Sequence, residues 1–398
     1  LVSNGDGVRL KALCCGGLVG LVGVVAASAA VAQGTVGSTA FNPAISLILD
    51  GKYTSYSGPV PELTGTLTGS EAGAVEEGFS AGESELVASA NIDDKFYGYF
   101  VLAAAIEDGE TTAEVEEAWI QTLALPAGLS VKAGKFLSDI GYLNSRHPHT
   151  WDFVDTPLPY EGLLGGNYSD SGVQLRWLAP TSLFLELGGE LLRGDTFPAG
   201  GAASDGQGAS TVFARLGGDV GVAHSWRVGI SLLQTEAIER ESVVDETPVL
   251  FDGDTDVGIL DFVWKWARNG NPRDRNFTIN AEYLRRSAKG TIASGPATLG
   301  YDEAQSGYYV SGTYQFRPRW RIGARYDTYE ADARLAALPG VGPVGNDPER
   351  LTVMVDFSNS EFSRLRLQVS DFDTGADSST GLYLQYIMSM GSHGAHAF

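Results

Sequence analysis

Leu351-Thr-Val-Met-Val-Asp-Phe357 and Arg364-Leu-Arg-Leu-Gln-Val-Ser370 carry an apolar side chain at every odd position, and in the second stretch every even position is polar. Successive side chains of an extended strand point to opposite faces, so each stretch has one greasy face and one wetter face. The same period of two runs through Val173-Gln-Leu-Arg-Trp177, Val212-Phe-Ala-Arg-Leu216, Trp226-Arg-Val-Gly-Ile230, Phe277-Thr-Ile-Asn-Ala-Glu-Tyr283 and Trp320-Arg-Ile-Gly-Ala-Arg-Tyr326. Counting outward from these stretches gives sixteen strands, the first over 43–54 and the last over 380–390. Tight connections such as Asp93-Asp94 and Arg317-Pro318-Arg319 alternate with long polar ones at 55–82, 140–170, 194–209, 238–254, 289–304 and 333–349. Short turns on one side and long loops on the other describe an all-β, 16-stranded antiparallel transmembrane β-barrel with both ends of the mature chain in the periplasm. An exported β-sandwich or propeller shows the same alternation but needs no such rhythm of connections.

Composition agrees. Fifty-one glycines, three methionines and 10% aromatic residues in 398 residues suit many short strands better than helices. With 27 Lys+Arg against 49 Asp+Glu and a net charge of −22, the chain has no broad electrostatic hold on phosphates, which excludes nucleic acid as a partner. At the start, Arg9 and Lys11 precede an apolar stretch from Ala12 to Val25, and Ala30-Val-Ala32 leads to Gln33. This pattern predicts a signal peptide over 1–32, with the barrel over 33–398. Both cysteines, Cys14 and Cys15, fall inside that segment, so the exported chain is stabilised without disulfides.

The last strand, Gly381-Leu-Tyr-Leu-Gln-Tyr-Ile-Met-Ser-Met390, is followed by a terminal Phe398, which resembles the signal that the barrel assembly machinery reads in Gram-negative outer-membrane proteins. At the level of architecture the chain is similar to sixteen-stranded porins, loosely to phosphate-selective porins. The stretch Gly134-Lys-Phe-Leu-Ser-Asp-Ile-Gly-Tyr-Leu-Asn-Ser-Arg-His-Pro-His149, continuing to Tyr160, is similar to porin-like proteins labelled zinc-regulated TonB-dependent receptors. Energy-coupled receptors of that name have about 22 strands and a plug. Only ten residues separate Gln33 from the first strand here, so the transport expected is passive. The resemblance implies an outer-membrane homotrimer, bedded in lipid and lipopolysaccharide, that passes small hydrophilic solutes or ions. A metal-uptake channel and a non-conducting structural or adhesion barrel are the alternatives.

By the same resemblance, the 140–170 connection is an inward-folded constriction loop bearing Arg146, His147, His149, Asp152, Asp155 and Glu161. His147 and His149 at i, i+2, with Asp152, are expected to form a weak divalent-metal contact, because imidazole and carboxylate both suit Zn²⁺. The ligand set is incomplete, and histidines that merely hydrogen-bond in the pore are the other interpretation. No resident cofactor is expected. An arginine facing lipid near the midplane costs about 2 to 4 kcal/mol, so Arg176, Arg215, Arg227, Arg321, Arg325, Arg364 and Arg366 are assigned to the lumen with Glu186, Asp219, Glu282, Asp327 and Asp356. Arginines outnumber carboxylates in that set, which implies a modest anion preference. Asp252-Gly-Asp-Thr-Asp256 and Asp371-Phe-Asp373 are placed in outer loops, and the first lacks the glycine and glutamate of a calcium loop. No phosphate-binding glycine loop or nucleophile elbow is present, so no enzyme is expected.

Overall fold

The computed structural model describes residues 43–69, 73–107, 110–201, 206–374 and 377–391. The expected signal peptide and the terminal Phe398 lie outside them. Sixteen long strands form one closed antiparallel sheet. In chain order they are β1 Ala44–Tyr56, β2 Ser84–Asn91, β3 Phe96–Glu107, β4 Glu110–Thr122, β5 Leu129–Leu137, β6 Ser169–Leu178, β7 Phe184–Leu192 and β8 Ala209–Val220. They continue as β9 His224–Val244, β10 Thr247–Ala267, β11 Asn276–Ser294, β12 Ala297–Arg317, β13 Trp320–Tyr329, β14 Glu349–Ser360, β15 Ser363–Asp373 and β16 Ser378–Gly391. The first strand closes the barrel on the last, with Asp50 opposite Ile387, so no edge is left to aggregate.

The alternation that identifies the strands separates two environments. On β15, Leu365, Leu367 and Val369 stand exposed on the outside, while Arg366, Gln368 and Ser370 are fully buried on the inside. Outward aromatic residues collect near the short turns, where Phe277 meets Tyr314 and Trp320 meets Phe357 at 4.8 Å between ring centroids. A second group, Tyr283, Tyr308 and Tyr326, lies six residues further along, about 20 Å of strand, with Tyr308 and Tyr326 in contact. An apolar band between two aromatic girdles is what a bilayer selects on the outside of a barrel.

Two of the six expected loops are strand instead. Residues 238–254 and 289–304 extend β9 to β12 into two tall hairpins, closed at Asp245-Glu246 and at Gly295-Pro296. Asp245 and Glu246 both adopt positive φ, 44° and 62°, the geometry of the tight turn whose twist matches its strands. Their polar outer faces, such as Asp254, Asp256, Arg285 and Lys289, imitate loop composition because these faces stand beyond the apolar band. The inner faces are apolar: Val244, Val249, Phe251, Ile292 and Tyr301 pack with Leu67, Leu335 and Leu338 from the 57–83 and 330–348 connections. The acidic run Asp252 to Asp256 therefore belongs to β10 and not to a loop. Asp371 and Asp373 sit on the outward face at the end of β15.

Ile230 is 61% exposed between Val228 and Leu232, whereas Gln234 begins the polar rim of β9. Ile230→Arg should lower the unfolding free energy in lipid vesicles by about 2 to 4 kcal/mol and Gln234→Arg by about 1 at most; equal costs in a urea titration would show that Ile230 does not face the bilayer.

Candidate functional site

The site is built by the connection between β5 and β6, residues 138–168, and by the inner faces of the strands it touches. Prolines shape it locally. Pro148 opens a single 3₁₀ turn, Pro148–Thr150, and Pro157 caps a short helix, α1 Leu158–Leu164, all of whose residues are buried. Proline costs nothing at these positions, where the backbone donor has no helical partner. Gly165, with φ of 77°, ends α1 in the left-handed conformation, and its N–H returns to the Tyr160 carbonyl.

Side chains of the wall bind this segment at several points. Asp155 receives Arg325 at 3.0 Å, Arg350 at 2.5 Å and Gln368 at 2.9 Å. The same two guanidinium groups grip Asp327 on β13, at 2.6 Å from Arg325 and 2.7 Å from Arg350, and Asp327 in turn accepts the N–H of Leu158 at the start of α1. Burial alone would raise the Asp155 carboxyl, but Arg325 and Arg350 outweigh it and hold the pKa at about 2. Glu161, in α1, is pushed the other way, to about 7, by burial, with Arg350 opposing. Two strands away along the wall from Arg325 and Asp327, Glu282 of β11 accepts the N–H groups of Tyr142 and Leu143, both at 2.9 Å, and the hydroxyls of Tyr160 and Tyr309. Gly141 makes that convergence feasible: its φ is 63°, and a Cβ there would collide with the Glu282 carboxylate.

The other sequence-selected residues take defined places. Arg321 binds Asp356 and Asp152, Arg227 binds Asp261, and Arg215 binds Glu186 at 2.8 Å and the Asp139 carbonyl. Arg176 donates to Gln121 and lies 3.5 Å from Asp139. Arg364 and Arg366 donate to the carbonyls of His149 and Trp151. Arg146 lies over the Tyr142 ring. Asp219 shares the inward register of β8 but is exposed at the strand end beside the 221–223 turn.

His147 and His149 do come together, with ring centroids 5.7 Å apart and nearly parallel. Asp152 does not join them. It is bound to Arg321 at 2.8 Å by the guanidinium nitrogen left over from the two-pronged contact of Arg321 with Asp356. The histidines meet wall glutamates instead. His147 Nδ1 lies 3.0 Å from Glu116 and 3.6 Å from Glu85, its Nε2 lies 2.8 Å from Glu117, and His149 Nδ1 lies 2.6 Å from the other oxygen of Glu85. Burial opposes the charge on His147, but its hydrogen bonds to Glu116 and Glu117 raise its pKa well above the usual imidazole value. Glu116 and Glu117 are consecutive, and strict alternation would send them to opposite faces. A β-bulge in β4 brings both to the same side: Val101 pairs with Glu117 and Leu102 with Val115, leaving Glu116 as the extra residue. Period-two counting cannot find such a pair; the doubled Glu-Glu inside an otherwise alternating strand was the available signal.

Arg240, Arg286 and Arg350, and the carboxylates Asp50, Glu85, Glu117, Glu190 and Asp261, are also buried on the inner face. With these added, inward carboxylates are no longer the minority, so the basis for an anion preference disappears.

No family model matches the chain. It is 31% identical over 389 residues, 90% of its own length and 80% of the other's, to a protein of Aquifex aeolicus (strain VF5) described as uncharacterized. Among solved structures, it is similar to Pseudomonas putida OprB at high pH, with a TM-score of 0.59 and 13% identity over 88% of this chain and 94% of that one. It is similar to the trimer form of in-vitro folded OmpT of Vibrio cholerae, with a TM-score of 0.53 and 12% identity over 88% and 100% of the two chains. An anion-selective porin from Comamonas acidovorans gives 0.51 and 11% identity over 88% and 99%. At these identities the likeness establishes the porin fold.

Asp155→Asn leaves two buried arginines short of a charge and should cost about 3 to 5 kcal/mol at pH 7. The stability from the depressed carboxyl is complete above its ordinary value of 3.8 and is lost as pH falls through about 2. The gap between wild type and variant, measured by urea unfolding, should therefore shrink from pH 5 to pH 2. A gap independent of pH would place the cost elsewhere.

Proposed function

The chain belongs to the same family as the Aquifex aeolicus protein, and we propose that it works as an outer-membrane porin passing small hydrophilic solutes or ions by passive diffusion. The observation that carries this is the inner face of the barrel, a closed wall of sixteen strands on which charged and amide side chains such as Asp261, Glu282, Arg325, Arg366 and Gln368 are turned inward while large apolar side chains of the same strands stand outward. The 138–168 segment serves as its constriction. It is bonded to wall strands on opposite sides of the sheet, from Glu85 on β2 to Glu282 on β11 and Gln368 on β15. Such a segment narrows the path and sets which solutes fit, while the fixed charges around it set which sign is favoured. The protein acts without a chemical step. A homotrimer is the assembly proposed, supported by the trimer form of the similar Vibrio cholerae barrel.

The charges are distributed unevenly. Between Arg9 and Arg146 the sequence contains no arginine, so β1 to β5 present carboxylates without a guanidinium of their own, while the wall arginines all come from β6 onward. Solutes crossing the constriction therefore pass between an acidic side and an arginine-rich side whose charges are mostly tied to Asp152, Asp155, Asp327 and Asp356. The acidic side meets its carboxylates with histidine and lysine instead of guanidinium groups, and the proposed preference is for cations.

Purified protein in planar bilayers should give small conductance steps with a cation-selective reversal potential. Replacing 141–166 by a short Gly-Ser linker should enlarge the steps several-fold. A refolded barrel that conducts in neither form would contradict the porin assignment and favour a structural barrel.

A further inference from the structure

The glutamates around His147 are spaced closely enough to share a metal ion in place of the imidazole proton, and we propose that His147 Nδ1, Glu116 Oε2 and Glu85 Oε2 bind a borderline divalent cation such as Zn²⁺ on the acidic side of the lumen. The three donor atoms lie within 4.8 Å of one another. The two separations from Nδ1, 3.0 Å and 3.6 Å, bracket the edge of about 3.4 Å that a tetrahedron has when its metal-ligand bonds are about 2.1 Å. One imidazole and two carboxylates make three protein ligands, with water in the fourth position, and this set suits Zn²⁺ better than the all-oxygen ligands that Ca²⁺ and Mg²⁺ require.

Independent support comes from the residues behind the ligands. A metal-bound histidine typically gives its second ring N–H to a carboxylate, which fixes the tautomer and the ring plane. Here His147 Nε2 faces Glu117 Oε1 at 2.8 Å, leaving Nδ1 turned toward Glu116 and Glu85. Glu117 is itself held, its other oxygen accepting the Trp119 indole N–H at 2.8 Å and the Leu137 N–H at 3.3 Å. Glu85 is oriented by His149, which takes its Oε1 and leaves Oε2 on the His147 side. The β4 bulge supplies Glu116 as ligand and Glu117 as orienting group from adjacent positions. Glu83, two residues before Glu85, has a buried Oε1 without a hydrogen-bond partner among the described residues. The arrangement also explains the Pro148 turn: it presents both rings of His147 and His149 to a wall that has glutamates and no arginine.

The cation would join the constriction segment to β2 and β4 at one point, as the arginine clamp at Asp155 joins it to β13 and β14. This goes beyond diffusion through the barrel, since binding is read without conductance. The test is titration calorimetry of refolded, detergent-solubilised full chain with Zn²⁺ alone, together with X-ray absorption at the zinc edge. One Zn²⁺ per chain is expected, in an N/O shell containing a single imidazole. Glu116→Gln and His147→Gln should each weaken binding at least tenfold, and Glu117→Gln, which only orients, by about 10- to 100-fold. Asp152→Asn should leave it unchanged. Circular dichroism and heat-modifiable migration check that each variant folds; if His147→Gln does not, Glu116→Gln decides. No uptake by wild type, or uptake indifferent to Glu116→Gln, would overturn the site. A barrel that conducts but takes up no Zn²⁺ would remove this inference and leave the porin assignment standing.

Discussion

The segment that crosses the inside of this barrel depends on the paired contacts of Arg325 and Arg350 with Asp155 and Asp327. Four charges are withdrawn from water, at a cost of several kcal/mol each, and each is met by more than one partner at 3.0 Å or less. The arginine forks also close on the carbonyls of Asp155 and Thr156, and Asp327 caps the entry to α1. A segment of thirty-one residues would otherwise lose its conformational entropy with little return. Fixed at 155 to 158, it is held again at 142 and 143 by Glu282, and the turn at 147 to 149 has only a short reach to the glutamates of β2 and β4. Position therefore propagates from the clamp to the histidines.

The barrel was legible in the sequence because a bilayer enforces alternation: each second residue of Leu365 to Val369 or Leu382 to Met390 must be apolar, whatever lies inside. All sixteen strands were legible on that ground. What was not legible follows from the loss of that constraint. Above the apolar band the outer face of β9 to β12 meets water, so Asp254 or Lys289 is acceptable there and a strand resembles a loop. The bulge at Glu116 breaks the period outright, which concealed the two glutamates that His147 meets. Asp152 and the histidines are close in sequence, but the wall decides which partner each one finds. Arg321 faces one and Glu85 the other, a fact of strand order and register rather than of local spacing.

The charge pattern ties these observations together. A chain with 49 acidic residues and no arginine from 10 to 145 builds five of its sixteen strands with carboxylates and no guanidinium of their own. The other strands carry the guanidinium groups, and the connection between β5 and β6 meets both. Its aspartates go to the arginines and its histidines go to the glutamates, so residue type along the segment matches the wall it crosses. Electrostatic sorting of this kind orients the segment as well as holding it, since reversing its direction would bring Asp155 against Glu85 and His147 against Arg350.

The dependence of the segment on its clamp is tested most directly by a double-mutant cycle on Asp155→Asn and Arg350→Met, read as unfolding free energy in detergent micelles. The contact at 2.5 Å predicts a coupling of about 1 to 3 kcal/mol between the two positions, with the double variant less damaged than the sum of the single ones. Additive losses, with coupling below about 0.5 kcal/mol, would contradict the account and show that the segment is held by something other than this pair.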